Sequence, residues 1–251
     1  MTFRSNEGSS REQPWLDWKL IYYLDGGSWH VSGQLLNAKL QGGGVNKCHI
    51  MQPSHLQFTI HGLWPANKSS SSSLGCKGDA FNVNEMDDAL KKALLSSWWD
   101  WRKGKPVEFW QREYDKHGKC SDNVFLKTEY FRKTLAMYHD FDIAQILQKD
   151  NIVPQPLQPK MSLYKLYSID QITKAIESET GGHSVNIRCY QQYQKKSNNG
   201  SKPLIYLAQV ALCYNRSGNN RTNCDPGETT SCNLNKSEPK TVPRIAHIKL
   251  W

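Results

Sequence analysis

The chain has 251 residues, 38% of them hydrophobic, with 32 Lys and Arg against 23 Asp and Glu for a formal net charge of +9. That length fills one well-packed domain, and no apolar run approaches the length of a membrane span, which sets aside the membrane-spanning classes. A positive balance of this size favours nucleic acid or other polyanionic partners, and seven cysteines with no C-x-x-C pair argue for an oxidising compartment and against a zinc site.

In chain order, residues 1–15 (MTFRSNEGSSREQPW) hold no apolar core of the kind a signal peptide carries. In 18–24, Trp18, Leu20, Tyr22 and Leu24 alternate with Lys19, Ile21 and Tyr23, which predicts a strand apolar on both faces. In 56–61, Leu56, Phe58 and Ile60 alternate with Gln57, Thr59 and His61. This predicts a half-buried strand with His61 on the open face, ended by Gly62 and Pro65. The serine run 69–73 reads as a flexible loop. Residues 84–99 predict a helix with Met86, Leu90, Ala93 and Leu94 on one side. A second helix is predicted over 109–117, where Phe109, Glu113, Lys116 and His117 fall at i, i+4, i+7 and i+8 on one face. Helices follow over 122–139 and 141–148, PQPLQP at 154–159 is a loop, and Ile169, Ile172 and Ile176 share a face of a helix over 168–178. Strands are predicted over 184–190, 204–214 and 244–250, the last a partly covered edge because its alternation is imperfect. Helices after a first strand pair, then strands again, give an α+β domain: a central antiparallel sheet flanked by several helices and bonded by disulfides.

The chemistry concentrates in two short segments, FTIHGLWP (58–65) and FWQREYDKHGKC (109–120). Two histidines, a carboxylate and a lysine are what RNA phosphodiester cleavage requires without a metal. One imidazole takes the proton of the ribose 2′-hydroxyl, the other gives a proton to the leaving 5′-oxygen, and a cation stabilises the more negative phosphorane. Glu113 lies one turn from His117, placed to hold its tautomer or support its charged form, and Lys116 adds positive charge there. Taken singly, a strand histidine is most often a surface residue, and an E-x-x-K-H run most often a solvated helix face. The pair of segments together is far more specific.

Together they resemble the active-site segments of the ribonuclease T2 family, secreted endoribonucleases that include the plant S-RNases and their S-like relatives. The resemblance runs from about Lys47 to the C-terminus, so that 47–251 reads as a ribonuclease T2-like catalytic domain behind an atypical N-terminal segment, 1–46. It implies a T2-like fold and cleavage of single-stranded RNA through a 2′,3′-cyclic phosphate, with no metal and no other cofactor, by a monomer. It further implies that His61 and His117 are the proton-transfer pair, with His117 as base and His61 as acid. Glu113 and Lys116 would assist at the phosphate, and Trp64 and Phe109 would lie near the bound nucleotide. Many relatives carry a third histidine just before the glutamate. Here it is Arg112, whose guanidinium fork keeps the charge for phosphate oxygens.

A Cys76–Cys120 bridge would tie the two segments together, and the resemblance implies Cys189–Cys232 outside Cys213–Cys224, although the sequence alone permits other pairings. Cys48 is left over. Relatives pair the corresponding cysteine with one that follows a Gln-Trp-Pro strand, and residues 15–46 hold neither. The expectation is an unpaired Cys48 and a partly uncovered sheet edge or base-binding wall near 18–24. Sequons at Asn67, Asn199, Asn215, Asn220 and Asn235 fit a secreted or vacuolar glycoprotein, although this chain shows no signal peptide. The basic balance resembles S-RNases more than the often acidic S-like enzymes. That branch implies pollen F-box proteins as partners, recognised through a loop near 69–83. The alternatives are a glycoprotein whose main task is recognition, or an inactive storage-like homologue; the latter usually lose a catalytic histidine, and this chain keeps both.

Overall fold

A computed structural model describes residues 17–25, 57–66, 76–100, 103–122, 124–153, 166–192, 204–226, 232 and 248–249. Cys48, Asn67, Asn199, Asn235, the serine run 69–73 and the proline-rich stretch 154–159 lie outside the described residues.

Four strands form the body of one sheet: β1 (Asp17–Asp25), β2 (Gln57–Ala66), β3 (Asn186–Gln192) and β4 (Leu204–Tyr214), in the antiparallel order β2-β1-β4-β3. Two short strands also pair with β4: β5 (Arg221–Thr222), antiparallel, and β6 (Ile248–Lys249), parallel. The expected uncovered edge near 18–24 is therefore corrected. β1 runs between β2 and β4, and Trp18, Leu20 and Tyr22 are fully buried. Large apolar side chains on alternate positions give this strand a complete inner face whether or not a disulfide anchors its far end.

Helices cover that face. Asp87 caps α1 (Asp88–Ser97), its carboxylate accepting from the Leu90 N–H at 2.7 Å. The helix predicted from 84 therefore begins later, after a 3-10 turn at Val83–Glu85. Next come α2 (Pro106–Lys116), which opens on a proline, and a 3-10 turn at Gly118–Ser121. This turn delays α3 (Lys127–Asp140) past the predicted start at 122. Asp142 caps α4 (Ile143–Lys149), and a Ser168–Gln171 capping box opens α5 (Ile169–Glu179). Among the described residues no helix is long and apolar enough to cross a membrane. Among the described residues the disulfides join Cys76 to Cys120, as their places beside the two segments suggested, and Cys189 to Cys232 and Cys213 to Cys224, the pairs that the resemblance implied.

Among the described strands β2 is outermost, with one side paired to β1. Aromatic donors meet its other side. Tyr138 Oη donates to the Phe58 carbonyl at 2.7 Å, Trp98 Nε1 to that of His61 at 3.0 Å, and Tyr130 Oη to that of Leu63 at 2.8 Å. Trp98 is held in turn through its own carbonyl, which accepts from Trp110 Nε1 of α2 at 2.7 Å. The strand that carries the first histidine is thereby fixed from both sides.

Candidate active site

The site starts from an irregularity in β2. Ile60 pairs with Tyr22 and Gly62 with Ile21, so His61 is an extra residue with no partner in β1. This is a β-bulge. In a regular strand His61 and Trp64, three residues apart, would face opposite sides of the sheet. The extra residue resets the alternation: Phe58 and Ile60 are buried before it and Leu63 after it, which turns His61 and Trp64 to the same side. Their ring centroids are 5.1 Å apart. The strand does not end at Gly62, as the sequence suggested, but continues through a bulge to Ala66.

Facing β2, α2 presents Phe109 and Glu113. Phe109 lies 5.8 Å from the His61 ring, and Glu113 Oε1 is 3.6 Å from His61 Nε2. The other carboxylate oxygen of Glu113 accepts from Trp64 Nε1 at 2.8 Å. Gly62 makes this possible: a Cβ there would stand 2.5 Å from Trp64 Nε1 and 2.6 Å from Glu113 Oε2. Burial pushes the Glu113 carboxyl up to about 7, against the Trp64 hydrogen bond and the charges of Lys116 and Arg112, which pull it down. Near neutral pH this group therefore carries its proton part of the time.

His117 departs from the predicted helical face. α2 stops at Lys116, and His117 has φ −127° and ψ −42°, outside the helical region, before the 3-10 turn. Gly118 is required just beyond it, because a Cβ would lie 2.4 Å from the Tyr114 ring. Glu113 consequently does not serve His117, as the one-turn spacing suggested; its partners are Trp64 and His61. The His117 ring instead stacks on the Trp64 indole, with centroids 4.5 Å apart and planes inclined by 21°. It is buried, and its Nε2 has no hydrogen-bond partner among the described residues. Burial, with help from the Lys116 charge, pushes this imidazole down to about 4. Cys120, three residues on, is bonded to Cys76.

Lys116 is exposed at the end of α2. Arg112 is partly engaged: its guanidinium lies over the Phe109 ring at 5.5 Å, and one nitrogen is 3.5 Å from Asp100 Oδ2. Of the described sequons, Asn220 is exposed. Asn215 Oδ1 accepts from the N–H groups of Asn219 and Asn220 and so organises its own turn. Sequence reasoning missed three contributors. Trp98 holds the His61 carbonyl, Arg188 lies 5.8 Å over the Trp64 ring, and Gln209 Nε2 reaches within 2.7 Å of His61 Nδ1. Only Gln209 left a signal, as a lone amide in the apolar run LIYLAQVALCY. Among the described residues no three His, Cys, Asp or Glu side chains gather as metal ligands.

The arrangement thus packs two imidazoles on one indole, His61 edge-on and His117 stacked, with a carboxyl hydrogen-bonded to that indole and two cations at the margin. Residues 38–224 match the sequence profile of the Ribonuclease T2 family. The chain is 31% identical over 187 residues to Ribonuclease DdI of Dictyostelium discoideum, covering 74% of each. It is 29% identical over 173 residues to a ribonuclease-like storage protein of Panax ginseng, across 69% of this chain and 66% of that one. Its fold superposes on the crystal structure of a self-incompatibility-associated SF11-RNase of Nicotiana alata with a TM-score of 0.63 at 19% identity, covering 94% of this chain and 98% of that one. Built around both histidine segments and matched over most of its length, this chain belongs to the ribonuclease T2 family.

Proposed function

We propose that this protein is an endoribonuclease that cleaves single-stranded RNA by two-histidine acid–base catalysis. The observation that carries the reading is the unequal furnishing of the two imidazoles that pack on Trp64. His117, pushed down to about 4, is neutral over most of the pH range and suits the base. It takes the proton of the 2′-hydroxyl; the 2′-oxygen attacks phosphorus; the bond from phosphorus to the 5′-oxygen breaks; and His61 delivers a proton to that oxygen. The products are a 2′,3′-cyclic phosphate and a 5′-hydroxyl end. Water then opens the cyclic ester with the two roles exchanged. Lys116 and Arg112 supply positive charge to the phosphate, and Glu113 supports His61 across 3.6 Å. Phe109 and the part of the Trp64 ring that His117 does not cover offer aromatic surface to bases with little sequence preference. None of these steps draws on a metal.

The net charge of +9 supports a polyanionic substrate, and three disulfides support a secretory route. Within the family we favour the S-RNase branch, in which RNA cleavage serves pistil self-incompatibility and pollen F-box proteins are the partners; the basic balance supports it. The storage-protein name of the ginseng relative supports a second reading, a non-catalytic homologue. Incubation of single-stranded RNA with the protein and with its His61→Ala variant separates the two. Accumulation of 2′,3′-cyclic phosphate ends with the parent only is expected, and no cleavage by either would favour storage.

A further inference from the structure

β4 is apolar along its length except at one amide, Gln209. Gln209 pairs with Tyr23 of β1 on one side and Arg188 of β3 on the other. Its side chain and that of His61, from the bulge in β2, meet over the intervening β1, where Nε2 stands 2.7 Å from His61 Nδ1. A half-buried amide in such a strand costs free energy unless it is hydrogen-bonded. The opposite ring nitrogen of His61, Nε2, faces Glu113 at 3.6 Å. The two ring nitrogens therefore have separate partners, one from the sheet and one from α2.

We infer that Gln209 is a positioning residue for His61: it holds Nδ1, so that the proton His61 exchanges is carried on Nε2, the nitrogen that faces Glu113. The use of that proton rests on the ribonuclease reading above; the contact does not. A carboxamide offers an N–H donor or, turned by half a rotation, a carbonyl acceptor. With the amide nitrogen on Nδ1, the neutral ring keeps its proton on Nε2. With Oε1 there, the amide accepts from Nδ1–H of the imidazolium. It goes on accepting after Nε2 has given its proton to the leaving 5′-oxygen. Both orientations fix the same ring plane. A carboxylate in this place would orient the ring equally well but would hold the imidazolium and oppose proton release. The neutral amide orients without adding charge.

Among the described residues, the charged and titratable groups near His61 include Glu113 from α2, flanked by Arg112 and Lys116, Arg188 from β3, paired with Gln209, the buried Lys19 from β1, paired with Trp64, and His117, stacked on Trp64; the rings against it, Trp64 and Phe109, are neutral. All of them remain when residue 209 alone is changed. In Gln209→Glu the new carboxylate faces Nδ1. The His61 titration midpoint, followed by NMR of its ring, should rise by about one pH unit. The limb of the rate–pH profile that His61 controls should rise with it, the alkaline limb where His61 is the acid. Gln209→Leu removes the contact without adding charge. It should lower kcat by roughly ten- to a hundredfold with KM changed less than about threefold, and leave His61 a mixture of ring tautomers in nitrogen-15 spectra. An unshifted midpoint in Gln209→Glu, or a parent-like kcat and tautomer in Gln209→Leu, would overturn the inference. His61→Ala run alongside keeps the two failures apart. If it still cleaves RNA, the ribonuclease role of His61 falls while the NMR midpoint continues to judge the contact. If it is inactive and both Gln209 variants behave like the parent, only the role of Gln209 falls.

Discussion

The bulge of β2 and the end of α2 each deliver one imidazole to the same indole, yet they treat it in opposite ways. At the bulge, polar groups meet both ring nitrogens of His61, Gln209 on one side and Glu113 on the other. At the helix end, His117 is stacked and buried, and its Nε2 has no partner among the described residues. Lys116 next to it penalises a positive ring further. Hydrogen bonding suits a ring that must hold and then release a proton; desolvation suits one that must start empty. The difference shows how one fold can assign two chemically identical side chains to different tasks through their surroundings alone.

The bluntest way to break this comparison is to remove either ring. His61→Ala and His117→Ala should each lower kcat for RNA cleavage by about 10²–10⁴-fold, with far-ultraviolet circular dichroism unchanged. A variant that keeps parent-like turnover would show that its imidazole is not used. Lys116→Ala is the next largest effect expected. It should reduce kcat more than it raises KM, by roughly ten- to a hundredfold, because the phosphorane carries more charge than the ground state. It should also sharpen the contrast between the rings. The base must be neutral, so parent activity falls as pH drops through about 4. Without the lysine charge the imidazolium is less disfavoured, and that acid limb should move upward in a rate–pH series.

Glu113 offers a test that needs no substrate. Its folded-state value, about 7, lies above the ordinary 4.5, so its stabilising contribution is complete below 4.5 and lost as pH rises through about 7. Glu113→Gln keeps an acceptor for Trp64 Nε1 and removes the buried charge. At pH 8 the variant should be the more stable by roughly 1–3 kcal/mol, and at pH 4.5 the advantage should vanish, as read from denaturant midpoints. The smallest effect is reserved for Arg112, already shared with Asp100 and the Phe109 ring. Arg112→Ala should weaken RNA binding modestly and make log K against log salt shallower by about 0.7, the value for one phosphate contact on a single strand. An unchanged slope would remove Arg112 from the substrate path.

Which of these features the sequence disclosed follows from the range of the interactions behind them. β4 was legible residue for residue, because an apolar run interrupted only by Gln209 identifies a strand buried between neighbours. The shared face of Ile169, Ile172 and Ile176 likewise marked α5. Both histidines, Glu113 and Trp64 were legible as a group. Their pairing was not. A bulge is a count of two residues against one, so nothing within 57–66 betrays it without the register of β1. The end of α2 at Lys116 depends on how Gly118 fits beneath Tyr114, a contact that helical periodicity does not encode. Gln209 lies 148 residues from the ring it touches, and the topology alone brings the two together.

The aromatic hydroxyl and indole groups along the outer side of β2 have an effect beyond rigidity. A strand at the rim of a sheet normally exposes a ladder of carbonyls on which a strand from another molecule can dock, the first step in edge-to-edge association. Tyr138, Trp98 and Tyr130 have already taken the carbonyls of Phe58, His61 and Leu63. To use these carbonyls a foreign strand would have to displace their side-chain donors, two of which are buried in the core. The contacts that hold the histidine in place thus also occupy three carbonyls of the rim that carries it.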